Sequence, residues 1–110
     1  MKYLLLFAFL TLSAVSSGAA DAKIEEFNLV IKDHVFTPSE LIIPADKKVK
    51  IIVDNQDATP EEFESHDLHR EKIIPGGKKG IILVGPLKPG EYKFFGEFNE
   101  KTAQGVIKVQ

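Results

Sequence analysis

Apolar residues recur at every second position along most of this chain from Glu26 onward, and helical spacing nowhere persists beyond a turn or two. Phe27, Leu29 and Ile31 alternate with Asn28, Val30 and Lys32, which predicts a strand with one face on a core. Leu41-Ile42-Ile43 predicts a short second strand. Val49, Ile51 and Val53 alternate with Lys48, Lys50, Ile52 and Asp54 and predict a third. Further extended segments are expected at 63–68, 72–74, 81–84, 92–95 and 106–109, with the continuous apolar run Ile81–Val84 reading as a buried strand. Between them stand Phe36-Thr37-Pro38-Ser39, Pro44–Lys47, Asn55–Pro60, Pro75-Gly76-Gly77, Gly85-Pro86 and Lys88-Pro89-Gly90. Proline lacks the N–H that a ladder needs, and Asn, Asp and Gly accept turn conformations, so each cluster predicts a break. Seven or eight short strands separated by such turns predict an all-β sandwich or small barrel.

The first residues depart from this pattern. Lys2 is followed by the mostly apolar run Tyr3–Leu12 and then by small residues, with Gly18 and Ala20, or Ala20 and Ala22, at the positions a signal peptidase reads. Residues 1–22 are therefore expected to be a signal peptide, cleaved after Ala20 or Ala22, and residues 23–110 one domain. The apolar run is about ten residues, half of the roughly 20 that a membrane-spanning helix needs. The mature chain is expected to be exported without membrane insertion.

Composition narrows the functional classes. The chain has 14 Lys+Arg against 16 Asp+Glu, and removing the first 20 residues takes away only Lys2. A weakly acidic product offers no electrostatic footprint for nucleic acid or an anionic membrane surface. Cysteine is absent. An exported domain without it has no disulfide framework, so Phe27, Phe36, Phe63, Tyr92, Phe94, Phe95 and Phe98 are expected in the core or at its rim. It also lacks the thiolate on which blue copper chemistry depends. No nucleophile stands with a base at a recognisable spacing, and no zinc or phosphate-loop motif occurs, so nothing nominates a catalytic residue.

The order of the punctuation carries a resemblance. Phe36-x-Pro38-x-x-Leu41-x-Ile43-Pro44-Ala45, Val49-x-Ile51-x-Val53-x-Asn55-x-Asp57, Leu87-x-Pro89-Gly90-x-Tyr92-x-Phe94 and Gly105-Val106-Ile107-x-Val109 together resemble the cupredoxin domain. The resemblance implies a cupredoxin-like Greek-key β-sandwich of seven or eight strands. In that family the asparagine closes a strand whose following loop brings in a metal-binding histidine. The Pro-Gly-x-Tyr strand leads to a second loop with a cysteine, a histidine and usually a methionine. Here Glu61 falls at the first histidine, Gly96 at the cysteine, Asn99 at the second histidine, and Thr102 or Ala103 near the methionine. A blue copper electron carrier is thereby excluded.

Glu62-Phe63-Glu64-Ser65-His66-Asp67-Leu68-His69-Arg70-Glu71-Lys72, followed by Pro75-Gly76-Gly77 and Phe95-Gly96-Glu97-Phe98, is similar to EfeO-type cupredoxin-like domains and small FtrB-like proteins. That likeness implies a periplasmic accessory of bacterial ferrous-iron uptake that binds or delivers iron or copper. It also implies an inner-membrane iron permease or another periplasmic subunit as partner, with a ferroxidase-like role conceivable by resemblance only.

The polar residues point the same way. In a regular strand Glu62, Glu64 and His66 would share one face, with Ser65, Asp67 and His69 on the other. Carboxylates two residues apart can approach one cation, and oxygen donors with imidazole suit Fe(II), Fe(III), Mn(II) or Cu(II) better than Cu(I). The candidate metal ligands are Glu61, Glu62, Glu64, His66 and His69, with Glu97 from the second loop. Asn99 could close the site with a carbonyl oxygen. Arg70 is expected to pair with a carboxylate, Asp67 foremost, and His34 to face solvent. Two other readings fit the same residues: a solvated edge strand that resists aggregation, or a metal-free sandwich that binds a protein partner through this polar end.

Overall fold

The computed structural model describes residues 23–110, so the expected signal peptide lies outside the described residues. Among the described residues nine strands, rather than the seven or eight expected, form two packed sheets: β1 (Glu25–Lys32), β2 (Val35–Thr37), β3 (Glu40–Ile43), β4 (Val49–Asn55), β5 (Glu61–Ser65), β6 (Arg70–Ile74), β7 (Lys79–Val84), β8 (Gly90–Gly96) and β9 (Gln104–Val109). One sheet runs β2-β1-β4-β7 and the other β3-β9-β8-β5-β6. The β1–β4 and β3–β9 pairs are parallel and the rest antiparallel. Parallel neighbours cannot be joined by a tight turn, so the chain crosses repeatedly between sheets and both become one body.

The alternating positions meet in the middle. Leu29, Ile31, Val49, Ile51, Val53, Ile82 and Val84 from the first sheet face Leu41, Ile43, Phe63, Ile74, Phe94, Ile107 and Val109 from the second. Phe36, Phe63 and Phe94 form a contiguous aromatic group across the layers. The 81–84 run is not buried throughout: Ile82 and Val84 point inward while Ile81 and Leu83 are exposed, because side chains alternate across the pleat and only one face of each sheet meets the other. Phe98, expected at the core rim, is 50% exposed on the short 3-10 turn Glu97–Asn99 that follows β8.

Phe36 and Thr37, expected to open a turn, lie instead in the strand β2. The turn falls earlier, at Asp33 and His34, whose φ values of 52° and 58° fold β2 back onto β1. Asp57 secures that turn by accepting the N–H groups of Asp33 (2.7 Å) and His34 (3.0 Å), and the His34 Nδ1 lies 3.5 Å from its carboxylate. His34 is thus half-exposed, as expected, but stands beside an acid.

Asn55, at the end of β4, is fully buried. Its Nδ2 donates to the carbonyls of Thr59 (2.9 Å), Ile74 (3.0 Å) and Pro75 (3.4 Å), and its Oδ1 accepts the Asp57 N–H (3.0 Å). This one side chain joins the loop before β5 to the exit of β6. Replacing it with alanine leaves buried carbonyls unpaired, so Asn55→Ala is expected to cost about 2–4 kcal/mol in urea unfolding. A loss under about 0.5 kcal/mol, the range of an ordinary surface change, would show that water replaces the amide there.

Candidate metal centre

β5 places successive glutamates on opposite faces of its sheet. Its burial alternates, with Glu61, Phe63 and Ser65 turned inward and Glu62 and Glu64 outward. Two different sites result.

The inward one is closed. Glu61 is 1% exposed. Its Oε1 accepts the backbone N–H groups of Glu62 (3.0 Å) and Phe98 (2.9 Å), and its Oε2 accepts the Asn99 Nδ2 (2.7 Å). Gly96 lies against it: a Cβ there would stand 2.6 Å from the Glu61 Cδ and 2.7 Å from the Ala103 Cβ. Positions 61, 96, 99 and 103 therefore converge on one point, and the Glu61 carboxylate occupies it.

The outward site is open. Phe63 pairs with Gly96 across β5 and β8, so one further step of the ladder sets Glu62 beside Glu97. Glu64 lies opposite Phe95 on one side and Glu71 on the other. Carboxylate oxygens of Glu62, Glu64 and Glu97 all lie within 4.8 Å of one another. Glu64 is only 14% exposed and its Oε2 is buried without a hydrogen-bond partner. A hydrogen bond with the Glu97 carboxyl raises the Glu62 pKa to about 7, helped by partial desolvation and by repulsion from Glu97, Glu64 and Glu71. Two carboxyls sharing a proton beside an unpartnered carboxylate oxygen leave negative charge that a small cation would neutralise.

A family model, described as a cupredoxin-like domain, matches residues 3–109. The chain belongs to the cupredoxin-like domain family. An uncharacterized protein of Rickettsia prowazekii (strain Madrid E) is 50% identical over 84 residues, covering 76% of this chain and 67% of the relative. Among solved structures, a copper binding protein in its apo form superposes with a TM-score of 0.68 at 20% identity, over 77% of this chain and 86% of that one. The metal binding domain of the Cu(I) exporting ATPase CopA of Streptococcus pneumoniae D39 gives a TM-score of 0.67 at 13% identity, covering 79% and 86%. Auracyanin A, a "blue" copper protein of Chloroflexus aurantiacus, gives 0.69 at 13% identity, covering 80% and 100%. At these identities the structures share the fold, and the cupredoxin-like sandwich expected from the sequence is the fold observed.

The copper set of such a domain does not fit this one. Glu61 has both oxygens engaged by donors, Gly96 has no side chain and no room for one, and Asn99 turns its NH2 rather than its carbonyl oxygen inward. Neither Glu61 nor Asn99 is free to ligate, for the same reason.

The other expected ligands divide. Glu62, Glu64 and Glu97 come together, as just described. His66 stands beside this patch, its Nδ1 3.8 Å from the Glu64 Oε1 and its ring against Phe95, but its side chain is 79% exposed. His69 has a φ of 54° in the turn between β5 and β6 and points to solvent. The expected regular strand through position 68 stops at Ser65, because the Ser65 Oγ donates to the Lys93 carbonyl (2.6 Å) and accepts the Leu68 N–H (3.1 Å). His66 thereby lies beyond the strand rather than in line with Glu62 and Glu64 on their shared face, and His69 sits in the turn. Nor is β5 an edge strand, since β6 covers it.

The expected Arg70–Asp67 pair does not form. Arg70 donates to the carbonyls of Leu83 (3.0 Å) and His69 (3.0 Å), bridging to β7 across the gap between sheets, and Asp67 accepts the Lys93 N–H (2.8 Å). Arg70 consequently leaves the acidic patch unneutralised. The sequence sets Glu61 and Gly96 at two positions of the copper set but does not reveal that the Glu61 carboxylate takes the space a side chain at 96 would need. A glycine ending an aromatic strand was the available signal.

Proposed function

We propose that this chain is an accessory metal-binding protein of iron uptake, exported to the periplasm, and that Glu62, Glu64 and Glu97 hold its cation. The observation that carries the reading is the buried, unpartnered Oε2 of Glu64 within reach of two further carboxylates. An all-oxygen donor set favours Fe(II), Fe(III), Mn(II) or Cu(II) and disfavours Cu(I), which prefers sulfur. The apolar N-terminal run supports export, and the likeness of residues 62–72 to EfeO-type domains supports iron and a membrane permease as recipient. His66, whose Nδ1 lies 3.8 Å from the Glu64 Oε1, is the further ligand this reading offers.

Calorimetric titration of the purified protein with Fe(II) under anaerobic conditions, and separately with Cu(II), tests this. A dissociation constant below about 10⁻⁴ M is expected, weakened at least about tenfold by Glu62→Gln with Glu64→Gln. Absence of binding, or equal affinity in the variant, defeats the assignment.

A further inference from the structure

We infer that the Glu61 carboxylate is an internal substitute for a metal ion: it fills the point where positions 61, 96, 99 and 103 converge, ties the two loops there by hydrogen bonds, and closes this end of the sandwich to copper. The polarity of the surroundings is the first argument. The N–H groups of Glu62 and Phe98 and the Asn99 amide all aim at one point. Converging donors stabilise an anion and repel a cation, so with Glu61 removed the pocket suits a carboxylate better than copper. A carboxylate this deeply buried persists only when its oxygens are satisfied, and here they are.

Gly96 is the second argument. Because a Cβ at 96 would stand 2.6 Å from the Glu61 Cδ and 2.7 Å from the Ala103 Cβ, the Glu61 carboxylate in its hydrogen-bonded position and a side chain at 96, a thiol included, compete for the same space. The loop beyond Gly96 is closed by its own backbone, with Gly96 N–H donating to the Ala103 carbonyl (2.7 Å) and Ala103 N–H to that of Asn99 (2.8 Å). The carboxylate therefore plugs a preformed loop, and the tie reaches it from β5 without any ligand from outside.

Thermal melting of the purified protein in chelator tests this, with Glu62, Glu64 and Glu97 left intact, so that the result is independent of whether those residues bind a cation. Glu61→Ala is expected to lower Tm by about 10–20 °C. Formate is expected to recover part of that loss relative to chloride at equal ionic strength, without effect on the unaltered protein. Cu(II), added in place of chelator to Glu61→Ala that also carries Glu62→Gln and Glu64→Gln, is expected to recover none. If the alanine variant does not fold, Glu61→Gln serves. It keeps the shape of the side chain but removes the negative charge that the N–H groups of Glu62 and Phe98 and the Asn99 amide stabilise, so its Tm is expected to fall below that of the unaltered protein at neutral pH. An unchanged Tm in Glu61→Ala, or in Glu61→Gln where the alanine variant does not fold, or recovery by copper rather than formate, would each overturn the inference.

Discussion

Phe94→Ala is expected to cost about 3–5 kcal/mol, a large part of what a domain of this size possesses. Phe94 is 1% exposed, packs edge-on against Phe36 with ring centroids 5.0 Å apart and stacks on Phe63 at 5.1 Å. Phe36 belongs to the sheet opposite Phe63 and Phe94, so the three rings hold the layers together. Each aromatic pair adds about 0.5–1.5 kcal/mol beyond area burial, and two are lost at once. The cavity cannot readily collapse: on the other side of the Phe94 ring lies Gly105, so close that a Cβ there would overlap the ring, and backbone in a paired strand does not move in to fill a void. Without cysteine, no disulfide makes up the difference. Circular dichroism melting should show Tm lowered by about 15–30 °C. A drop under about 5 °C would mean that neighbours fill the space and that the trio is less important than its geometry implies.

Cation affinity at Glu62, Glu64 and Glu97 is expected to weaken steeply as pH falls through 7. In the cation-free protein the Glu62 carboxyl, hydrogen-bonded to Glu97, titrates near 7 instead of the ordinary 4.5. A cation must displace that proton, so each pH unit below 7 costs about tenfold, and binding at pH 5 should be about 100-fold weaker than at pH 8. The same proton predicts the stability of the cation-free chain. The folded state holds it more tightly than the unfolded state, so its contribution is complete below about pH 4.5 and is lost as pH rises to 7. Asp57, held below its ordinary pKa chiefly by the His34 N–H, acts in the opposite direction but only in more acidic solution. Melting in chelator should therefore give a higher Tm at pH 5 than at pH 7.5, and Glu97→Gln should flatten the difference. A proton count near zero on cation binding at pH 7, read by calorimetry in two buffers, would separate the cation from this carboxyl pair.

Much of the fold was legible because strand formation is local in its causes. Alternation at 27–31 and 49–53, and turn residues at Pro44, Asn55, Pro75 and Pro89, predicted strands close to where they lie. Val35–Thr37 was hidden because its ladder partner, β1, and the left-handed turn at Asp33 and His34 outweigh the adjacent proline. Ile81 and Leu83 looked buried because an apolar residue in a continuous apolar run carries no mark of which face of its sheet it joins.

The candidate site was legible only as a cluster of acids and histidines. Sequence alone determined a cysteine-free sandwich with glutamates at 61, 62, 64 and 97 and no copper set. Tertiary structure decided which glutamate does what. Glu61 and Glu62 are chemically identical neighbours, yet the pleat turns one into a ring of N–H donors and the other toward the Glu97 carboxyl on the 3-10 turn after β8, far away in the chain. His66 stands at the margin of the acidic patch instead of in line with it because a hydroxyl at Ser65 ends the strand. Burial and charge proximity belong to pairs of residues distant in sequence, and only the packed sheets bring those pairs together.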